Sequence, residues 1–178
     1  MINDVKRIIL KEEEIKEIVS GIGKKITEEY KGKELVVVII LKGAMVFASD
    51  LIREIDIPLT IDCMVVSSYG KGTDTSGVVK IIKDLNTSIT DKHVLIIEDI
   101  LDTGVTLSNL IELLNTRQPE SIAVCAMLDK PERRLREVEL KYRGISVPDE
   151  FIVGYGLDYD EKYRNLPYIG VLKEEIYK

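Results

Sequence analysis

The 178-residue sequence is poor in the residues on which several common chemistries depend. It contains one histidine, His93, a poor basis for a zinc site or a histidine-centred catalytic triad, so His93 reads as structural. Its two cysteines, Cys63 and Cys125, each sit inside an apolar run. They read as buried small hydrophobes, with no disulfide framework and no cysteine-based metal site. No GxxxxGK[ST] segment occurs, which excludes a P-loop kinase. There is no basic stripe: 25 Lys and Arg face 31 Asp and Glu, for a net charge of −6. Such a chain is a poor nucleic-acid binder, although local groups can still hold small anions. No apolar run approaches the ~18 residues of a membrane span. The segment MINDVKRIILKEEE lacks the apolar block of a secretion signal. The expectation is a cytoplasmic protein with no nucleic-acid or membrane partner. Neither an internal repeat nor a low-complexity linker appears, so residues 1–178 are expected to form a single domain.

What is present is enough apolar material for a core, 45% of residues, arranged in two periodicities. Val5 to Leu10 suggests a short strand. Ile15, Ile18, Val19, Ile22, Ile26 and Tyr30 recur at helical spacing, which predicts an amphipathic helix over 12–30, weakened in its middle by Gly21 and Gly23. ELVVVIILKG reads as a fully buried strand, AMVFASDLIREI as a helix stopped before Pro58, and LTIDCMVVSS as the next strand. YGKGTDTSG has no apolar period and reads as a mobile loop. VVKIIKDL returns as a strand. Further on, His93 to Glu98 forms a strand, Val105 to Asn115 a helix, and SIAVCAML a buried strand. EFIVGYGL reads as the last core strand and PYIGVLKEEIY as an edge strand. Strands alternating with helices imply an α/β fold with a mostly parallel sheet, whose ligands bind at the carboxyl ends of the strands.

That rule selects four strand ends: Leu41-Lys42-Gly43, Glu98 to Thr106, Leu128-Asp129-Lys130, and Gly154 to Asp158. The second lies in VLIIEDILDTGVTL, where an apolar strand ends in Glu98 and Asp99 and is followed by Asp102, Thr103, Gly104, Val105 and Thr106. A turn of small residues entering a helix aims backbone N–H groups at one point. Thr103 and Thr106 add hydroxyls, and Gly104 allows close approach. This is a monophosphate cradle, favoured by roughly 0.3–1 kcal/mol from the helix dipole; an ordinary helix cap with no ligand uses the same residues. Acids beside the cradle would repel a bare phosphate. They suit sugar hydroxyls, or a Mg²⁺ that the phosphates share. A phosphorylated sugar satisfies both halves.

At this point the residues resemble a known family. VLIIEDILDTGVTL is similar to the signature of type I phosphoribosyltransferases, which bind phosphoribosyl pyrophosphate. LKGAMVFASDL, SSYG, LDK and PDEFIVGYGLDYDEKYRNLPYIGVL resemble the branch of that family that salvages hypoxanthine and guanine. The similarity spans roughly Val5 to Leu172. It implies a type I phosphoribosyltransferase fold with a small hood built from about 1–10 and 150–178, and a flexible lid at about 68–77 that begins with Ser68 and Tyr69. It also implies transfer of phosphoribosyl to hypoxanthine or guanine, giving the 5′-monophosphate and pyrophosphate. Glu98 and Asp99 would hold the ribose hydroxyls, and Asp102 to Thr106 the 5′-phosphate. Asp102 would also be the catalytic acid or base beside purine N7. Leu41, Lys42 and Gly43, with a Leu–Lys peptide that can be cis in the family, would meet the pyrophosphate together with Arg164. Lys130, Phe151, Ile152 and Asp158 would bind the purine. Mg²⁺ would be the cofactor, held by Glu98, Asp99 and Asp158. Assembly as a homodimer or homotetramer is common in the family.

Three rival readings stand beside this one. A signalling receiver domain places its acid pair near its start, whereas only 80 residues follow Glu98 here. A regulatory RNA-binding homologue fits poorly with an acidic chain. A preference for xanthine is not separable by sequence, because much of the contact to the purine 2-position comes from backbone.

Overall fold

The computed structural model describes residues 1–68 and 79–178. From the amino end its elements are β1 (Val5–Leu10), α1 (Glu12–Tyr30), β2 (Leu35–Leu41), α2 (Met45–Arg53), β3 (Leu59–Ser68), β4 (Val79–Lys83), β5 (His93–Leu101), α3 (Val105–Asn115), β6 (Ser121–Asp129), β7 (Tyr142–Ser146), β8 (Ile152–Val153), β9 (Ile169–Leu172) and α4 (Glu174–Tyr177). Six strands make one sheet in the order β4-β3-β2-β5-β6-β7. Only the β3–β4 pairing is antiparallel.

The central strands are apolar on both sides because both faces of the sheet are covered. Val37, Ile39, Leu95, Ile97, Cys125 and Met127 pack into one core with residues of α1 and α2. Their neighbours Val36, Val38, Ile40, Val94, Ile96, Val124 and Ala126 enter a second core with Leu107, Leu110 and Leu114 of α3. The period-2 alternation of a strand sorts consecutive residues into two layers. α1 runs unbroken through its glycines. At Gly23 a Cβ would stand 2.5 Å from Glu54 Cβ, so this glycine lets α1 lie against the end of α2.

Four expectations needed correction. The β5 strand does not stop at Glu98; the ladder to β6 continues through Ile100↔Leu128 and Leu101↔Asp129. Backbone pairing is indifferent to the acids it carries. EFIVGYGL is not a core strand of the main sheet. Only Ile152–Val153 is extended, and Gly154, Tyr155 and Gly156 then turn with positive φ. Nor is PYIGVLKEEIY an edge strand. Its residues 169–172 are the middle strand, β9, of a separate antiparallel sheet ordered β1-β9-β8. Finally YRGIS, not anticipated as a strand, is β7, the outermost strand of the main sheet. The single histidine lies at the amino end of β5, where Nδ1 is 2.7 Å from Ser121 Oγ and the ring meets Tyr30 edge-on. Among the described residues no helix is long and apolar enough to cross a membrane.

Candidate active site

The parallel pairing brings the carboxyl ends of β2, β3, β5 and β6 to one edge of the sheet, and two cavities open there. One, of about 440 Å³, is walled by Leu41 and Gly43 after β2, by Glu98 to Gly104 and Thr106, and by Asp158 and Arg164. The other, of about 530 Å³, is walled by Lys130 after β6, by Asp149 to Ile152, and by residues of the small sheet. Asp99, Ile100, Asp102 and Asp158 belong to both walls. A ligand in each cavity would therefore meet across Asp102 and its neighbours. Both Glu98 and Asp99 reach the first cavity, although they are consecutive on a strand.

These two acids are held where water is scarce. Removal from water, and then the charge of Asp99, pushes the Glu98 carboxyl well above its usual range. Asp99 is pushed up to about 6, again chiefly by removal from water, although the Ile100 N–H donates to it at 2.7 Å. The loop after β2 presses on the same carboxylate. A Cβ at Gly43 would stand 1.7 Å from Asp99 Oδ2, so any side chain there would have to displace the Asp99 carboxylate. The Leu41–Lys42 peptide is cis. The Lys42 ammonium turns outward to Glu161 at 2.9 Å, in an exposed pair. Gly156, at φ +104°, lies against the Gly43 carbonyl, where a Cβ would be 2.1 Å from the oxygen.

The turn that opens α3 is shaped as a cradle. Gly104 caps the helix in the left-handed region, φ +78°, with no side chain of its own, and the Val105 N–H donates to Thr103 Oγ1 at 3.4 Å. Thr103, Gly104 and Thr106 at this helix start line the smaller cavity. Residues 130–136 brace this turn from behind. The Lys130 N–H donates to the Leu101 carbonyl at 2.9 Å, and those of Leu135 and Arg136 donate to the Thr103 carbonyl at 2.9 and 3.0 Å. Arg134 Nη1 donates to the Asp102 carbonyl at 2.7 Å, while Nη2 pairs with buried Asp129. The Asp102 carboxylate has Arg133 Nε 3.2 Å from Oδ1, but that oxygen is buried without a hydrogen bond among the described residues.

On the other side, Lys130 is buried, with Nζ donating to the Glu150 carbonyl at 2.9 Å and Asp149 at 3.5 Å. Phe151 and Ile152 line the same cavity. Arg164 bridges Asp158 at 2.8 Å and the Gly156 carbonyl at 2.8 Å. The second Asp158 oxygen accepts the Glu161 N–H at 3.0 Å. Among the described residues no three His, Cys, Asp or Glu side chains gather into a ready-made cation cage. Glu98, Asp99 and Asp158 nonetheless all face the smaller cavity as oxygen donors, the donor type a hard cation such as Mg²⁺ takes.

Known proteins share this arrangement. Residues 7–160 match the family model described as the phosphoribosyl transferase domain. A relative from Staphylococcus aureus (strain Mu50), named hypoxanthine-guanine phosphoribosyltransferase, is 56% identical over 177 residues, covering 99% of each chain. The chain belongs to the hypoxanthine-guanine phosphoribosyltransferase family. Among solved structures, a hypoxanthine phosphoribosyltransferase from Staphylococcus aureus superposes with a TM-score of 0.98 at 56% identity, covering 100% of this chain and 97% of that one. A hypoxanthine-guanine phosphoribosyltransferase from Bacillus anthracis superposes at 0.91 and 45% identity, covering 95% and 99%. The fold is that of the type I phosphoribosyltransferases.

Of the residues the family resemblance pointed to, Glu98, Asp99, Asp102, Thr103, Gly104, Thr106, Leu41, Gly43, Lys130, Phe151, Ile152, Asp158 and Arg164 all line one or both cavities. Lys42 and Val105 do not. Tyr69 and the loop to Gly77 lie outside the described residues, and Ser68 is described only as the last residue of β3. Sequence reasoning missed Arg133, Arg134 and Tyr177, and gave Asp129 no role beyond its place in the strand end Leu128-Asp129-Lys130. A buried acid directly before Lys130, followed by paired arginines, was the one available signal.

Proposed function

We propose that this protein transfers the 5-phosphoribosyl group from phosphoribosyl pyrophosphate to hypoxanthine or guanine, giving IMP or GMP and pyrophosphate. The observation that carries the reading is the wall shared by the two cavities, with Asp102 on it. It supplies one compartment for the sugar phosphate, one for the base, and a carboxylate between them. The bond from ribose C1′ to the pyrophosphate oxygen breaks as the bond from C1′ to purine N9 forms. Positive charge grows on the ribose ring, and Glu98 and Asp99, which hold the ribose hydroxyls, face it. Asp102 takes the proton that purine N7 sheds. The N–H groups and hydroxyls of residues 102–106 hold the 5′-phosphate, and Leu41 to Gly43 with Arg164 meet the pyrophosphate. Glu98, Asp99 and Asp158 would hold Mg²⁺, which neutralises charge on the leaving group when bound.

Lys130 selects the base. Its ammonium has three N–H donors and no acceptor, so it favours a 6-oxo group over the 6-amino group of adenine. Phe151 offers its ring to the purine face and Ile152 its backbone to the purine edge, under a hood formed by the β1-β9-β8 sheet. A cytoplasmic homodimer or homotetramer completes the reading.

The test mixes protein, Mg²⁺ and phosphoribosyl pyrophosphate with guanine, hypoxanthine, xanthine or adenine, and separates the products by chromatography. Nucleotide is expected from guanine and hypoxanthine, and little from adenine. No product from any purine would overturn the assignment.

A further inference from the structure

On one side of the larger cavity, Tyr177 has no role in the reaction as proposed. That side is a pair of aromatic rings. Phe151 and Tyr177 are stacked, with centroids 4.8 Å apart and planes 25° from parallel. Tyr159 meets Phe151 edge-on at 5.3 Å. Both Phe151 and Tyr177 line the cavity. Rings this close leave no space for a planar base between them, since stacking on both sides of a purine takes roughly 7 Å. A purine that stacks on Phe151 must therefore use a face Tyr177 does not cover.

Tyr177 is held in place by the small sheet. α4 follows β9 directly, and the Lys173 N–H donates to the Asp4 carbonyl at 2.9 Å, tying the turn to the start of β1. Ile176 and Tyr177 pack against the cluster of Val153, Tyr163, Leu166 and Leu172, with Val5 beside them. Phe151 itself stands just before the two-residue strand β8, where the Leu172 N–H donates to its carbonyl at 2.8 Å. A short strand constrains the Phe151 backbone, but the plane of its ring depends on what lies against it.

We infer that Tyr177 is a positioning residue for the purine, acting through Phe151: it backs the Phe151 ring and fixes the plane on which the base stacks. The inference rests on the purine reading of this cavity. An aromatic pair contributes enough beyond its buried area to predict a rise of roughly 3- to 10-fold in the KM for the base when the ring is removed.

The test compares the unaltered enzyme with Tyr177→Ala and Tyr177→Phe. For each, KM is measured for guanine and hypoxanthine at saturating phosphoribosyl pyrophosphate, and for phosphoribosyl pyrophosphate at saturating base, alongside kcat and the thermal midpoint. Tyr177→Ala should raise the KM for both bases while kcat and the KM for phosphoribosyl pyrophosphate move far less. Tyr177→Phe should restore the base KM to within about twofold, because the stacked ring remains. An unchanged or lowered base KM in Tyr177→Ala overturns the inference. So does a parallel loss in all constants with a lowered midpoint, which marks a purely structural role. Either result with an active unaltered enzyme leaves the purine reading standing, whereas an unaltered protein that forms no nucleotide from any purine overturns both.

Discussion

Two sets of acids in the same sheet are treated in opposite ways. Asp62 on β3 and Asp129 at the end of β6 are buried and fully partnered. Burial alone would raise the proton affinity of Asp62, but the N–H groups of Thr87, Cys63 and Asn86 and the Lys83 ammonium outweigh it and hold the carboxyl below its usual range. Asp129 lies between Arg134 and Arg143. Glu98 and Asp99, on β5 between those two strands, are shifted upward instead, and Asp102 keeps an oxygen without a hydrogen bond. The first pair is neutralised by the protein itself. The second set is neutralised less completely: Arg133 approaches Asp102 at 3.2 Å, while Glu98 and Asp99 remain shifted upward by burial. That contrast separates structural from functional carboxylates more sharply than burial does.

The largest effect expected from breaking the contrast is at Asp102. Asp102→Asn should lower kcat by about 10²- to 10⁴-fold, the usual contribution of a positioned acid–base group. Phosphoribosyl pyrophosphate binding, measured by calorimetry, should barely change. If binding collapses while turnover at saturation survives, Asp102 is a ligand and not the proton carrier.

Next comes Asp129→Ala, which strands the largely covered Arg134 side chain. It should cost about 3–5 kcal/mol, seen as a drop in thermal midpoint on the order of 10 °C. Because Arg134 also carries the Asp102 carbonyl, kcat should fall with it. A stable, fully active variant would show that the brace does not set the turn.

Asp99→Asn should act in the opposite direction on stability while reducing activity. An acid whose proton affinity is raised by folding binds more protons folded than unfolded between its ordinary value and about 6. Stability therefore falls as pH rises through that window, and removing the charge recovers up to about 3 kcal/mol at neutral pH. Denaturant titrations of the ligand-free protein at pH 5 and pH 7.5 should show this slope, and the variant should flatten it. Mg²⁺-dependent substrate binding should weaken as pH drops below about 6, because protonated carboxyls no longer attract a cation. Asp62, with its proton affinity lowered, works with the other sign: its contribution is present above the ordinary carboxylate value and is lost in stronger acid.

The smallest effect belongs to His93, at the far end of β5. His93→Gln removes the ring from Tyr30 and alters one hydrogen bond to Ser121. A cost of about 1 kcal/mol in stability with unchanged kcat is expected. A large loss of turnover would contradict the division of β5 into a structural end and a functional end.

Much of this was legible in the residues. The period-2 and period-3.6 patterns marked β2, β5, β6, α1 and α3, because buried strands and amphipathic helices are local consequences of where apolar side chains fall. The turn that opens α3 was legible for the same reason: Gly104 and its neighbours form a tight turn by local geometry, and the structure places them at the end of β5. The acids Glu98 and Asp99 could be assigned to a ligand, but their shared cavity could not, since alternation alone sends them to opposite faces.

What the sequence by itself determined was therefore the α/β class, the main strands, and the identity of the groups at their ends. Tertiary structure alone decided that β9 lies in the middle of a second sheet, that YRGIS closes the first, that residues 130–136 brace the Asp102 turn, and that Tyr177 reaches the ring of Phe151. Each of these is a contact between segments distant in the chain. Its free energy arises from pairing and burial that exist only once both partners are in place, so neither segment carries the pattern alone.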